Sequence, residues 1–389
     1  MKKIIFLAAL SLVFVFSLSV LAYDHTITRE PLTDDEMQKV IELGSEWFKN
    51  AQEKDGHFKY EYMPYWDRYT DDDNVVRQAG ALYELGEILV RDGNDSLGLK
   101  DTVESAIEYA VENSRSGEFG GRSFKCLARD EKKCTLGGSS LAFIGVLDYV
   151  TAYPDEELEY RGLIDGYKEY FLAMNLEDAG VRDAYYFDGS QTVKESSFSN
   201  GEVFLALVRY YVYSGDEEVK MVINGLFDYF NEIYRAEWDN NFYLWGMAAI
   251  KDLYASDPSD EYFDFVKDYT DWRMQKYMIK RSSGHNYCAY SEGVISAYSV
   301  LEDSHGSEDY LEEIDFWLAK SRDLQVTATT TLKYKYSDTK PYILRVKDLN
   351  RAVGGFLTDQ KEPTQRIDFT QHCLSGYLQK LVDVNGVEL

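Results

Sequence analysis

The chain has 389 residues and carries 68 acidic against 41 basic side chains, for a net charge of −27. A field of that sign repels nucleic acid and anionic lipid over most of the surface, so neither is an expected partner. An acidic polymer would be admitted only where a cleft supplies its own local cations.

Met1-Lys2-Lys3 and the apolar run from Ile4 to Leu21 have the charged start and short hydrophobic core of a secretory signal. Val20-Leu21-Ala22 supplies small or aliphatic residues for cleavage after Ala22. An uncleaved anchor is the alternative, because the run sits at the lower edge of a spanning length. Losing Lys2 and Lys3 takes the exported form, residues 23–389, from −27 to −29. That form is expected to be free of the membrane. No Pro, Ser or Gly-rich linker interrupts it, and it reads as one domain.

Thr33 to Ala51 reads as an amphipathic helix. One phrase then returns six times: a Gly, Asn or aromatic turn, a polar or charged cluster, and a helix rich in small apolar residues. The clusters are Asp71-Asp72-Asp73-Asn74 before Arg77 to Leu82, Leu136-Gly137-Gly138 before Ser139 to Ala142, and Ser199-Asn200-Gly201-Glu202 before Phe204 to Leu207. They continue with Asn240-Asn241-Phe242-Tyr243 before Trp245 to Ala249, Tyr290-Ser291-Glu292-Gly293 before Val294 to Ala297, and Arg366-Ile367-Asp368 before His372 to Gly376. More polar helices alternate with them, at Leu99 to Arg115, Leu158 to Met174, Glu217 to Tyr234, Glu261 to Ile279 and Ser307 to Lys320. These carry an apolar stripe such as Ile107 and Val111, or Phe263 and Val266, with acidic residues opposite. Six inner and six outer helices predict an all-α fold, an (α/α)6 toroid of six helical hairpins. The exception is Val326 to Val346, where Thr329 to Tyr336 and Tyr342 to Val346 flank a Ser337-Asp338 turn. This stretch reads as a small β-hairpin insertion that walls one side of a cavity.

Four cysteines in an exported chain favour pairing. Cys126 and Cys134 would close a small loop between Gly pairs. Cys288 and Cys373 open neighbouring inner helices and would pair across that seam. A zinc site from His285, Cys288, His372 and Cys373 is the competing arrangement. It is disfavoured, because export favours the disulfide and adjacent residues seldom both point at one metal. No metal or other cofactor is expected, since no nucleotide, metalloprotease or Ser hydrolase signature occurs.

In such a ring every inner helix begins at the same end, so the six polar clusters converge on one mouth, where the helix N-termini add partial positive charge. Glu202, Glu292, Asp368 and His372 are the candidate catalytic groups. Glu202 and Glu292 each adjoin a Gly at a helix start and read equally as helix caps. Asp73 with Arg77, and Arg366 with Asp368, read either as ion pairs holding the rim or as substrate contacts. Trp66, Tyr243, Trp245 and Tyr290 are expected to stack on sugar faces, although large aromatics also fill the gaps between helices.

Asp55-Gly56-His57-Phe58, Gly117-Glu118-Phe119-Gly120-Gly121 and Gly354-Gly355-Phe356 place Gly and Phe just before the first, second and sixth clusters. With these turns, the chain from Thr33 to Val384 resembles the six-hairpin toroid enzymes: glycosidases, polysaccharide lyases and uronyl epimerases. Those families use an acidic residue, or a Tyr, His and Arg set, at the mouth of the ring. Glu202, Glu292 and Asp368 fit the first pattern by position, and Tyr290, Arg366 and His372 the second. The resemblance implies an exported carbohydrate-active enzyme acting on a glycan or polysaccharide, first of all a glycoside hydrolase. A uronate lyase or epimerase, and a non-catalytic glycan-binding toroid, are the alternatives. Nothing in the sequence bears on oligomeric state.

Overall fold

A computed structural model describes residues 29–176, 180–191, 194–278, 287–334, 342–358 and 363–389. The signal segment and His285 lie outside the described residues, as do the side chains of 276–278, 287, 290, 333, 334 and 342. Among the described residues, twelve helices of 13 to 20 residues alternate between an outer and an inner layer. The outer set is α1 (Asp34–Ala51), α3 (Lys100–Glu112), α5 (Glu157–Met174), α7 (Glu217–Ala236), α9 (Asp260–Met278) and α11 (Ser307–Arg322). The inner set is α2 (Val75–Asp92), α4 (Leu136–Ala152), α6 (Ser197–Ser214), α8 (Asn240–Ser256), α10 (Tyr287–Leu301) and α12 (Ile367–Gln379). Each inner helix packs on the next, and α12 closes the ring on α2. The (α/α)6 toroid expected from the repeats is the fold of the chain.

Small side chains explain the closeness of the inner layer. A Cβ on Gly145 of α4 would lie 2.8 Å from the Leu82 carbonyl oxygen, and one on Gly86 of α2 would lie 3.0 Å from the Gly145 carbonyl oxygen. The two backbones therefore touch, and alanine at either position would force them apart. Buried residues run around the whole of α4 from Leu136 to Val150, whereas α7 buries one stripe, Val219, Ile223, Leu226, Phe227, Phe230 and Tyr234. That contrast is the expected one for a helix enclosed by neighbours and a helix that faces water. Val111 departs from it: α3 buries Val103, Ala106, Ile107 and Ala110, which turns Val111 outward in the last turn.

Helix starts follow local chemistry. Thr33 and Glu36 form a reciprocal capping box on α1, and Asn74 and Asp239 accept main-chain N–H groups at the starts of α2 and α8. No described helix is long and apolar enough to cross a membrane.

Short strands line the ends of the ring. β1 (Glu61–Met63) pairs with β2 (Arg68–Tyr69) and with β9 (Gln365–Arg366), tying the first hairpin to the start of α12. β3 (Ser114–Phe119) and β4 (Arg122–Leu127) form a tight hairpin through Gly120 and Gly121, both in the left-handed region. The sequence reading assigned the start of this hairpin to the end of an outer helix. β5 (Lys133–Thr135) pairs with β6 (Ala184–Tyr186), and β7 (Thr331–Tyr334) with β8 (Tyr342–Arg345) forms the expected insertion. Both expected disulfides are present, Cys126–Cys134 and Cys288–Cys373.

The far end of the ring, away from the helix starts, is locked by ions. Arg209 of α6 donates to Asp252 of α8 at 3.0 Å, to Asp148 of α4 at 3.3 Å and to Glu87 of α2 at 3.2 Å. Arg91 and Lys251 both reach Asp383, beyond α12, at 2.7 Å. Burial pushes Glu87 up, but Arg209, Arg91 and Lys251 together hold it below the usual carboxylate range; burial raises Asp148 against the pull of Arg209. Arg209→Leu would leave two buried carboxylates, Glu87 and Asp148, and the half-buried Asp252 without their shared cation. We expect it to cost about 3–5 kcal/mol in urea unfolding at pH 7, and a loss under 1 kcal/mol would show that the network is not a stabilising tie.

Candidate active site

A cavity of about 550 Å³ opens where the inner helices begin, and residues from the start of all six line it. That volume lies in the range of small-molecule sites. From α2 come Asn74, Val76, Arg77 and Gly80, from α4 Gly137, Gly138 and Leu141, and from α6 Phe198, Ser199 and Glu202. Leu244 and Trp245 of α8, Ala289 of α10, and Asp368, Phe369, Gln371 and His372 of α12 complete the ring, with Arg366 just before α12.

Glu202 is the most perturbed acid in the cavity. Burial pushes its carboxyl up to about 7, against the pull of the Arg77 guanidinium. The carboxyl packs on the first turn of α4, where a Cβ at Gly137 would fall 1.8 Å from Oε2. Glycine at 137 therefore makes the room that Glu202 occupies.

Asp368 faces the cavity from α12, opposite α6 in the ring. Arg366 holds it through two bonds, Nε to Oδ1 at 3.0 Å and Nη2 to Oδ2 at 2.7 Å, and Arg77 Nε stands 3.4 Å from Oδ2. Two guanidinium groups surround it and fix its direction. The expected Arg366 and Asp368 pair thus exists, while Arg77 pairs with Asp368 and not with Asp73.

His372 and Glu292 form a buried dyad. His372 Nδ1 lies 2.8 Å from Glu292 Oε2, and Ser375 Oγ donates to Oε1 at 2.7 Å. With Nδ1 so engaged, Nε2 is the nitrogen left for a ligand. The imidazole also lies 5.9 Å, ring to ring, from Trp245, which rests edge-on against Tyr83.

Of the residues named from sequence, Glu202, Asp368, His372, Arg77, Arg366 and Trp245 line the cavity together. Glu292 stands behind His372. Asp73 binds the main chain of Asn74 and the amide of Gln78, at 2.7 and 2.8 Å, and so orders the turn before α2. Tyr243 is enclosed in the core with its hydroxyl on Thr270, 3.0 Å away, because α8 turns that position toward α9. Trp66 is exposed on the β1–β2 turn beside Tyr65 and Arg68, away from the cavity lining. The Tyr290 side chain falls outside the described residues. The disulfide between Cys288 and Cys373 removes the two thiols from the zinc alternative. Sequence reasoning passed over Arg129, Lys133, Asp183 and Phe198, which also line the cavity. Their signal was position: each lies just before or within the first turn of an inner helix, or on a strand paired to that segment.

No protein-family model and no curated protein matches the sequence. Solved structures do. A sugar epimerase from a ruminal bacterium superposes with a TM-score of 0.64 at 14% identity, covering 92% of this chain and 100% of the other. A family 76 glycoside hydrolase from a bovine Bacteroides thetaiotaomicron strain gives 0.61 at 12%, covering 88% and 77%. An inactive α-1,6-mannanase variant of Salegentibacter sp. HEL1_6, in complex with α-1,6-mannotriose, gives 0.60 at 11%, covering 90% and 100%. At these identities the likeness concerns the fold, which is the six-hairpin toroid.

Glu202 should release its proton near pH 7. Carboxyl infrared difference spectra, with Glu202→Gln as the blank, would read that step directly. Arg77→Met removes the cation opposing burial and should move the step higher; a step at the ordinary value of about 4.3 in the wild type would contradict the site as described.

Proposed function

We propose that the chain is a carbohydrate-active enzyme that works by general acid–base chemistry at the mouth of the ring, and in the first instance a glycoside hydrolase. The observation that carries this reading is Glu202, a cavity-lining carboxyl raised to about 7 and facing the Asp368 wall across the ring. An acid of that strength still carries its proton in about half of the molecules at pH 7 and can give it to a leaving group. A glycosidic oxygen lying against α6 would take the Glu202 proton as the bond to the sugar carbon breaks. Asp368, bonded by Arg366 and beside Arg77, would receive a proton from attacking water or bind sugar hydroxyls. Trp245 and Phe198 offer apolar faces for the C–H side of a sugar ring. The six-hairpin fold shared with mannanases supports a glycan substrate, and two disulfides support an extracytoplasmic location after cleavage at Ala22.

A second reading has its own observation. The His372–Glu292 dyad puts a directed imidazole opposite Glu202, so a proton could leave one face of a sugar carbon and return from the other group. That arrangement suits epimerisation or isomerisation of a reducing sugar, and the fold likeness to a sugar epimerase agrees with it.

The deciding assay supplies neutral and uronate polysaccharides, and free aldoses in deuterium oxide. It follows reducing ends, unsaturated-uronate absorbance and deuterium at the carbon beside the carbonyl. New reducing ends alone establish hydrolysis, absorbance with them a lyase, and deuterium in the free sugar the second reading. Retention on a glycan array with no turnover would make the toroid a binding module. For a hydrolase, Glu202→Gln should lower kcat by about 10²–10⁴-fold with binding nearly unchanged. The wild-type rate should fall as pH rises through about 7, where the acid loses its proton. A variant that only weakens binding would remove Glu202 from the chemistry.

A further inference from the structure

Four cations line the cavity of a chain whose net charge is −27, and they fall into two kinds. Arg77 and Arg366 are committed to Asp368. Arg129 and Lys133 are not: among the described residues neither side chain forms an ion pair, although both act on the nearby Asp130 carboxyl, and the Tyr186 ring lies 5.4 Å from Lys133 Nζ. Other cations among the described residues, Arg115 and Lys125 for example, also lack an ion pair, and what sets Arg129 and Lys133 apart is their place in the cavity lining.

The loop that carries them is tightly built. The Cys126–Cys134 disulfide closes it, the Arg129 N–H donates to the Lys133 carbonyl at 2.9 Å, and Asp130 Oδ1 accepts from the Lys132 and Lys133 N–H groups at 2.8 and 3.1 Å. β5 then runs directly into the first turn of α4, whose free N–H groups add partial positive charge to the same wall. Thr135 Oγ1, at that junction, is buried with no hydrogen-bond partner among the described residues. Besides Asp368, two acids, Asp183 and Glu202, line the cavity with the pair. Among the described residues Asp183 makes no ion pair with either cation, and its buried Oδ1 has no hydrogen-bond partner. Glu202 is held partly neutral near pH 7 by burial.

We propose that Arg129 and Lys133 form an anion subsite of this cavity, so that the sugar it takes bears an acid group, either a uronate carboxylate or a phosphate or sulfate ester. The proposal rests on the reading of the cavity as a sugar site and narrows its substrate class. The field of the whole chain turns anions away, and these two cations give a charged sugar its local reason to enter. A charge-assisted bond from either one would separate acid-bearing from neutral sugars about tenfold or more.

Calorimetric titration tests it. Hexoses, hexuronates and hexose 6-phosphates, each in the gluco, manno and galacto forms, are added to the wild type, to Arg129→Gln/Lys133→Gln and to Lys133→Arg. The wild type should bind a charged sugar about tenfold tighter than its neutral counterpart, with the gap narrowing in salt. The double variant should lose that preference and keep its affinity for the hexose, and Lys133→Arg should retain the preference. Whether hexuronate or phosphate gains more identifies the acid group. Equal binding of charged and neutral sugars by the wild type, or a preference that survives in the double variant, overturns the subsite and leaves the carbohydrate reading standing. No binding of any sugar, together with silence in the turnover assay, overturns both.

Discussion

The three-way contact of Arg209 with Glu87, Asp148 and Asp252 is the constraint on which the rest of the ring depends. One guanidinium joins α6 to α2, α4 and α8, and through Arg91, Lys251 and Asp383 the tie extends to the segment after α12. Inner helices faced with Ala, Gly and Ser pack closely, but small side chains alone offer few interlocking shapes to resist a slide or a rotation. A planar cation that must satisfy three carboxylates admits few rotations. Removing one partner of such a network is costly, while replacing all of it with apolar groups need not be, so what the network adds beyond an apolar contact is a fixed geometry. By fixing the far ends of these helices, it fixes where their first turns stand around the mouth.

At the mouth, three acids drawn from similar sequence settings are separated by their surroundings. Asp368 meets two guanidinium groups that fix its direction. Glu292 is turned away from the cavity by Ser375 and His372, and it orients the imidazole. Among the described residues Glu202 has no ion pair, only the distant pull of Arg77, so burial dominates and raises its carboxyl to about 7. Three carboxyl groups at one mouth thus stand in three different surroundings.

The fold was largely legible in the sequence because its physical cause is repetitive. Helices enclosed on every side need small residues all round, those facing water need one stripe, and the alternation of the two can be counted. The site was legible in part for the same reason. Glu202, Asp368 and His372 lie in the first turn or two of inner helices, and helix starts in a closed ring share one end. What the repeat does not encode is rotation about each helix axis. Tyr243 and Glu292 occupy helix starts as well, but α8 turns Tyr243 into the core toward α9 and α10 turns Glu292 toward His372. Trp66 belongs to a strand turn whose direction is set by pairing with β9, a contact nearly the whole chain length away. The β3–β4 hairpin was hidden because Ser114 to Leu127 has too few apolar alternations to distinguish it from a frayed helix end.

Arg129 and Lys133 illustrate the same limit in electrostatics. In sequence they are two cations in a Lys-rich stretch beside Asp130 and Glu131, and the natural assumption is mutual neutralisation. In the fold, Asp130 accepts main-chain N–H groups and feels both cations only at a distance, and among the described residues no carboxylate forms an ion pair with either. Net charge counts residues, whereas a ligand responds to the groups within a Debye length that remain uncommitted. By that measure Arg129 and Lys133 are cations that a ligand in the mouth of this acidic chain can reach, and the proposed sign of that ligand follows from which pairs the fold completes and which it leaves open.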